Sequence, residues 1–165
     1  RDADGNIKWE EQFPNLVNAV GKQLMLDTLL GGSSYSVTGP YLGLISGASP
    51  TFAAADTMSS HGGWTEFTNY TVGGSAVRGT ATFASASSTG TTPTNVTTAA
   101  ATAIVYTITG GGGTVGGCFL TLGSGASSTQ GNTGGTLYSA GAFTTAKVTT
   151  AGDTVSVTYS TTATS

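Results

Sequence analysis

Few side chains in this sequence could act as acid, base or nucleophile. His61 is the only histidine, and Asp56, Ser59 and Ser60 lie close to it in the chain. A catalytic triad needs a nucleophile, a base and an orienting acid held together in space. No Gly-x-Ser-x-Gly elbow followed by a distant histidine is present. The pattern therefore predicts a structural or exposed loop histidine ahead of a strand that begins at Thr65.

Cys118 is the only cysteine, so an internal disulfide is excluded. A reactive thiolate needs a cationic neighbour, and the apolar segment around Cys118 carries no charge. A free cysteine in an apolar strand is usually a small core residue. We therefore expect Cys118 to be buried and inert, and one cysteine with one histidine cannot build a zinc site.

Two further segments partly match ligand-binding loops, one for calcium and one for phosphate. Asp2-Ala-Asp4-Gly5-Asn6 resembles the start of a calcium loop, but its glycine comes two places early and Phe13 stands where a bidentate Glu belongs. This segment predicts a turn at Asp4-Gly5. Gly110–Gly113 lacks the Lys-Ser/Thr of a phosphate loop and predicts a flexible hairpin connection. We expect no catalytic residue, no cofactor and no metal, and hence no enzyme.

Composition narrows the class of protein. Only 8% of the 165 residues are charged, the net charge is -3, and 26 residues are glycine. A chain without a basic surplus is a poor partner for nucleic acid. No apolar run is long enough for a membrane span, and no secretory signal is visible. The sequons at Asn69 and Asn95 are therefore discounted. An apolar fraction of 38% favours one folded domain over a disordered chain.

Short segments of strand character recur with Ser, Thr and Gly loops between them, among them Ser85–Thr98 and Ser124–Gly135. Such spacing predicts a mainly β fold, a single sandwich of jelly-roll or Ig-like type. Val155, Val157 and Tyr159 should share one face, while the more evenly apolar 103–108 and 118–122 should be central. The predicted strands are Tyr41–Ile45, Thr65–Tyr70, Arg78–Ala84, Ala103–Thr109, Val115–Leu122, Thr136–Ser139 and Thr154–Ser160.

One short amphipathic helix is predicted near the N-terminus, over about 18–30. Asn18 is a suitable N-cap, and apolar residues follow at spacings of three and four. Gly31-Gly32 ends the helix. Its expected role is to close one side of a sheet.

The first 14 residues are predicted to form an N-terminal hairpin or arm, and 15–165 the sandwich. Six of the chain's 13 charges lie within the first 11 residues. Tryptophan is a common interface anchor, and charges beside it can fix register. The candidate partner-docking residues are Ile7, Lys8, Trp9, Glu10 and Glu11. The alternative is an ordinary edge strand over 6–10, with Ile7 and Trp9 on one face.

Three pairs of segments are notable when taken together: Asp4–Glu10 with Asn15–Asp27, Tyr41–Ile45 with Ala54–Glu66, and Gly134–Gly141 with Gly152–Tyr159. The set resembles a family of small virion-associated structural proteins of tailed bacteriophages. The resemblance covers most of the chain, and it implies a short β domain encoded among head and tail genes. It implies no catalytic residues and does not separate head from tail.

The leading hypothesis is a capsid decoration or cement protein on the outer surface of the head, since many copies on a lattice tolerate modest contacts. Its partners would be the major capsid protein, copies of itself or both, without nucleic acid or membrane. The alternative is a tail or tail-fibre component with receptor- or carbohydrate-binding loops. A sugar-binding platform would need exposed aromatic side chains, for which the candidates are Tyr35, Tyr41, Trp64 and Tyr70.

Overall fold

The computed structural model describes residues 1–31, 38–85, 94–96 and 103–162. The only helix in these ranges is eleven residues long and too short to cross a membrane. Tyr35 and most of the predicted Ser85–Thr98 loop lie outside them. The elements, in chain order, are β1 (Leu16–Val17), α1 (Ala19–Leu29), β2 (Tyr41–Ser46), β3 (Thr65–Phe67), β4 (Tyr70–Thr71), β5 (Gly79–Thr80), β6 (Thr94–Val96), β7 (Ile104–Ile108), β8 (Gly113–Leu122), β9 (Thr136–Thr149), β10 (Thr154–Val157) and β11 (Ser160–Thr162).

The strands form antiparallel sheets. Within the described residues, a six-stranded sheet has the order β1-β9-β8-β2-β3, with β5 paired to the other end of β2. A three-stranded sheet has the order β10-β7-β4, and β11 pairs with β6. The two larger sheets pack face to face, so the predicted mainly β sandwich with one helix near the N-terminus is confirmed.

The core lies between the two larger sheets. One hydrogen bond ties them directly, because the buried Tyr106 hydroxyl donates to the Leu42 carbonyl at 2.8 Å. Cys118 is 1% exposed, as the sequence predicts, and burial raises the pKa of its thiol to about 12. The principal core side chains are Leu42, Leu44, Cys118 and Leu120 from the first sheet and Ile104, Tyr106, Ile108, Val155 and Val157 from the second.

The six-stranded sheet is buried on its second face too. Phe119 points away from the main core, into a cluster covered by the segment that carries Met58 and Trp64. Strand β8 therefore has apolar neighbours on both faces, which explains the evenly apolar run at 118–122. Strand β7 differs: its residues alternate between buried and exposed, and Val105 is 45% exposed. Strand β7 is nevertheless the central strand of the smaller sheet, as predicted for 103–108, and its residues alternate because the outer face of that sheet meets solvent.

Some predicted strands have different limits. Thr65–Tyr70 is two strands, since β3 belongs to the larger sheet and β4 to the smaller, and the chain crosses between them at 68–69. Strand β9 runs on to Thr149, ten residues past its predicted end, because β8 offers it a long partner. Of the strand predicted over 78–84, only the two residues of β5 are observed as a strand. Gly110–Gly113 joins strands of different sheets, so it is not a hairpin connection.

Helix α1 begins after Asn18, as predicted, but Asn18 makes no side-chain cap. Its amide instead donates to the Ala53 carbonyl at 3.0 Å. The helix rests on β9 through Gly21, where an added Cβ would lie 2.6 Å from the Tyr138 carbonyl oxygen. Only Gly21 is fully buried, so the apolar side chains of the second half are exposed: Met25, Leu26 and Leu29, followed by Leu30.

Replacing Gly21 with alanine should destabilise the fold. A helical Gly→Ala change gains about 1 kcal/mol of propensity, but the new methyl group would clash with the backbone of Tyr138, and overpacking costs about 1–3 kcal/mol. We expect a net loss of about 1 kcal/mol in urea unfolding. Gly62→Ala, with no atom within 4 Å of its Cβ position, should change stability by less than about 0.5 kcal/mol. A stabilised Gly21→Ala variant would contradict the close approach.

Candidate docking site

The N-terminal arm, residues 1–15, begins with a tight hairpin. The Gly5 N–H donates to the Asp2 carbonyl at 3.1 Å, and the Asp2 N–H donates to the Asn6 carbonyl at 3.0 Å. Gly5 has φ +87, a conformation that glycine adopts at little cost. The turn is centred on Ala3-Asp4, one residue earlier than predicted, because the Asp2 side chain accepts from the Asp4 and Asn6 N–H groups.

The first residue of the arm pairs with the edge of the smaller sheet. The Arg1 amino group donates to the Thr154 carbonyl at 2.7 Å, and the Thr154 N–H donates to the Arg1 carbonyl at 3.0 Å. This exchange of both bonds is the pattern of a hydrogen-bonded antiparallel pair. Arg1 thus continues the smaller sheet beyond β10 by one rung.

The rest of the arm lies along the larger sheet. Trp9 and Phe13 pack on Phe143 of β9, with ring centroids 5.6 and 5.0 Å away. The Lys147 ammonium lies 4.9 Å from the centre of the Trp9 ring and donates to the Glu11 carboxylate at 2.8 Å. Since β1 pairs with β9 and Arg1 pairs with β10, the arm bridges the open side of the sandwich.

Lys8 makes a further polar contact of this bridge. Its ammonium donates to the buried Asp153 carboxylate at 2.7 Å, and the Thr150 N–H donates to the same oxygen at 2.9 Å. The Lys8 hydrogen bond is the main reason that the pKa of Asp153 is lowered.

A groove of about 480 Å³ lies beside the arm. Val105 of β7, Ser156 of β10 and Thr158, which follows β10, are exposed side chains that line it, and Arg1 lines it as well. Four of the five predicted docking residues line it: Ile7, Trp9, Glu10 and Glu11.

The five candidates therefore have different surroundings. Lys8, Trp9 and Glu11 hold the arm on its own domain, while Ile7 is 60% exposed and Glu10 is exposed. Residues 6–10 form no strand, so the alternative of an ordinary edge strand is wrong. Docking of these residues on a partner stays a prediction.

His61 sits in the loop before β3, as predicted, and stacks on Trp64 with ring centroids 3.8 Å apart. The Asp56 carboxylate accepts from the Trp64 indole N–H at 3.4 Å and from the Ala53 N–H at 3.0 Å. The acid thus orients the tryptophan and not the histidine. The Ser59 hydroxyl pairs with that of Thr57. These contacts form a small structural cluster and do not assemble a triad.

The structure shows neither a metal site nor an exposed aromatic platform among the described residues that were candidates for them. Among the described residues, no group of three or more His, Cys, Asp or Glu side chains could hold a metal ion. Trp64 and Tyr70 are buried, at 4% and 1% exposure, so they cannot form part of an exposed sugar-stacking platform. Burial of the Tyr70 hydroxyl also raises its pKa strongly.

A buried ion pair escaped the sequence analysis. Arg78, 1% exposed, donates from Nε and Nη2 to the two Glu66 carboxylate oxygens at 2.8 and 2.7 Å. The same guanidinium donates to the carbonyls of Ser127 and Asn132 at 3.1 and 2.7 Å. One signal was available: Glu66 and Arg78 are two isolated charges in strand-like segments of a chain that is only 8% charged.

Removing one partner of this pair should destabilise the protein strongly. Arg78→Met leaves the Glu66 charge buried and unpaired, which typically costs about 3–5 kcal/mol. The double variant Arg78→Met/Glu66→Met should lose less than the sum of the two single losses, because the partners are coupled. Denaturant unfolding measures all three. Lys8→Met, which removes an ion pair whose lysine is 35% exposed, should cost about 1 kcal/mol or less. Additive losses would contradict the coupling.

Asp153 should make stability depend on pH in the acidic range. Because its pKa in the folded protein is lowered below the usual value of about 3.9, its contribution is complete above that value. It is lost as the pH falls through the folded pKa. Asp153→Asn should lower the free energy of unfolding by about 1 kcal/mol at pH 7 and flatten its slope below pH 4. Unfolding curves from pH 2 to 7 measure this, with the exposed Asp4→Asn as control. An unchanged slope in Asp153→Asn would contradict the assignment.

In comparisons with known proteins, no family model, no curated protein and no solved structure matches this chain.

Proposed function

We propose that this protein is a non-enzymatic structural component of a tailed bacteriophage particle. Its leading role in this proposal is a decoration or cement protein on the outer surface of the capsid. The observation that carries the proposal is the groove beside the arm, which gathers Ile7, Trp9, Glu10 and Glu11 on one surface. The family resemblance of the sequence supplies the biological setting.

The arm is suited to docking because its position is fixed before a partner arrives. Trp9 and Phe13 are seated on Phe143, and Lys8 and Glu11 each make an ion pair with the sandwich. A surface held in place loses little conformational entropy on binding. Ile7 then stands out as an exposed aliphatic side chain at the groove, next to the exposed carboxylate of Glu10.

The chemistry of the remaining groups favours binding over catalysis. The Cys118 thiol is buried with its pKa raised to about 12, so it is a poor nucleophile at neutral pH. His61 and Asp56 are both engaged with Trp64. A surface rich in hydroxyl groups can form hydrogen bonds across an interface without the large cost of desolvating charges. Repetition on a lattice strengthens modest single contacts.

The second role kept in the proposal is a tail or tail-fibre component with receptor- or carbohydrate-binding loops. Copy number in the particle separates the two locations. Hundreds of copies would indicate the shell, while a few to tens of copies would indicate the tail.

The test is binding to particles that lack this protein. Wild-type protein should co-sediment with them, and Ile7→Ser should weaken binding at least tenfold without changing the melting temperature. Val148→Ser is the matched control, because Val148 is also aliphatic and 72% exposed but lies on β9. It should bind like wild type. Failure of wild-type protein to bind would overturn the proposal, and the reverse pattern of the two variants would move the contact to β9.

A further inference from the structure

A second pocket, of about 580 Å³, lies where the end of the arm leads into β1. It shares no lining residue with the groove beside the arm, so it is a separate site. The end of the arm, β1, Tyr138 of β9 and the chain around the start of β11 line it. Its volume lies within the range of about 300–1,000 Å³ that is usual for small-molecule sites.

Three aromatic side chains line this pocket. Phe13 and Tyr138 are half-buried, and Tyr159 is buried. Neighbouring residues hold two of these rings in place: Phe13 makes an edge contact with Phe143 at 5.0 Å between centroids, and the Tyr138 hydroxyl donates to the Met25 sulfur at 3.3 Å. A ligand that packs on these rings would meet a surface that is already ordered, which lowers the entropic cost of binding.

The polar side chains of the pocket are all uncharged. They are the amides of Gln12 and Asn15 and the hydroxyls of Ser160 and Thr161, with no acidic or basic side chain among the described residues that line it. Asn15 hydrogen-bonds to the Tyr159 hydroxyl, whereas Gln12 and Ser160 are exposed. Amides and hydroxyls both donate and accept hydrogen bonds. This lining suits a neutral ligand, because an ion would lose its water without gaining an opposite charge.

The charges nearest to the pocket disfavour an anion. Glu10 and Glu11 line an adjoining cavity of about 360 Å³, which shares Gln12 and Phe13 with the pocket. Glu11 is already paired with Lys147, at 2.8 Å. Neither carboxylate lines the pocket itself, so neither is placed to hold a cation there.

We propose that this pocket binds a sugar unit of a neutral glycan. A sugar ring has C–H groups on its faces, which pack on the electron-rich faces of aromatic rings such as Phe13 and Tyr138. Its hydroxyl groups pair with amides and hydroxyls, which Gln12 and Ser160 present here. An apolar ligand of the same size would remove water from these polar groups without replacing their hydrogen bonds.

This site is independent of the docking role of the arm, because the two surfaces have no lining residue in common. It also differs from the aromatic platform that the sequence suggested. Trp64 and Tyr70 are buried, and Tyr41 does not line the pocket. The aromatic residues brought together here come from the arm, from β9 and from the segment before β11, which are distant in the sequence.

NMR titration of the isotope-labelled protein with maltotriose, cellotriose and chitotriose tests the site. Sugar at about 10 mM reveals a complex with a Kd of about 1 mM. At least one of the three should shift the backbone amides of Gln12, Phe13, Asn15 and Ser160. Unchanged amides at these positions with all three sugars would overturn the proposal.

An acidic sugar tests the neutral character of the ligand. The counterpart of cellotriose in which each glucose is replaced by glucuronate should bind at least tenfold more weakly than the best of the neutral sugars. Equal or tighter binding of this acidic sugar would overturn the assignment to a neutral glycan.

Two variants of Tyr138 test the aromatic contact. Tyr138→Leu should weaken sugar binding at least fivefold, because it removes the ring. Tyr138→Phe should stay within twofold of wild type, because it keeps the ring and loses only the hydroxyl that bonds to Met25. Tyr41→Leu is the matched control, since Tyr41 is also a half-buried tyrosine but lies on β2. It should bind sugar like wild type.

Gln12→Ala gives a second measurement if Tyr138→Leu lowers the melting temperature by more than about 5 °C. Gln12 is exposed, so its truncation should leave the fold intact while weakening sugar binding at least threefold. Loss of sugar binding in Tyr41→Leu together with normal binding in Tyr138→Leu would place the sugar elsewhere and overturn the assignment.

Sugar binding and particle binding are separate measurements, so their failures can be told apart. Absence of sugar binding overturns the pocket and leaves the decoration role standing. Absence of particle binding overturns that role and leaves the pocket. Ile7→Ser should bind sugar like wild type, and a loss of sugar binding in that variant would contradict the independence of the two sites.

Discussion

The ion pair between Arg78 and Glu66 is the contact on which the arrangement of the larger sheet depends. Its guanidinium joins β3, through Glu66, to the β8–β9 loop, through the carbonyls of Ser127 and Asn132. The Gly131 N–H donates to the same carboxylate at 2.8 Å, and the guanidinium lies over the Phe119 ring. Buried charges are tolerated only when their hydrogen bonds are largely satisfied. This network therefore fixes one arrangement of a loop that consists almost wholly of small polar residues.

The N-terminal arm covers the open side of the sandwich, whose two sheets have unequal numbers of strands. Aromatic packing on Phe143 holds the arm to the larger sheet, and Arg1 reaches the smaller one. Two ion pairs join the arm to the sandwich: Lys8 pairs with Asp153, and Glu11 pairs with Lys147. The arm belongs to the stability of the domain, and the groove along it is the surface best suited to a partner. The same short segment thus stabilises the domain and carries the proposed docking surface.

The exposed apolar half of α1 stands apart from this arrangement. The helix approaches β9 closely at Gly21, whereas the side chains of Leu26 and Leu29 are 58% and 75% exposed. The three- and four-residue spacing of its apolar residues correctly indicated a helix. It did not indicate burial, because burial depends on which side of the helix the sheet occupies.

The sequence by itself determined the class of fold, the helix and the roles of several residues. Alternation placed Val155, Val157 and Tyr159 on one buried face, and the absence of nearby charge indicated that Cys118 is a core residue. These are local properties, since periodicity and side-chain type act within a few residues of chain. Only the tertiary structure decided that 65–70 divides between two sheets, that Arg78 meets Glu66 across 12 positions, and that Arg1 pairs with a strand edge 153 positions away. Each of those features depends on strand pairing between distant segments, and register between distant strands is set by packing of the whole core.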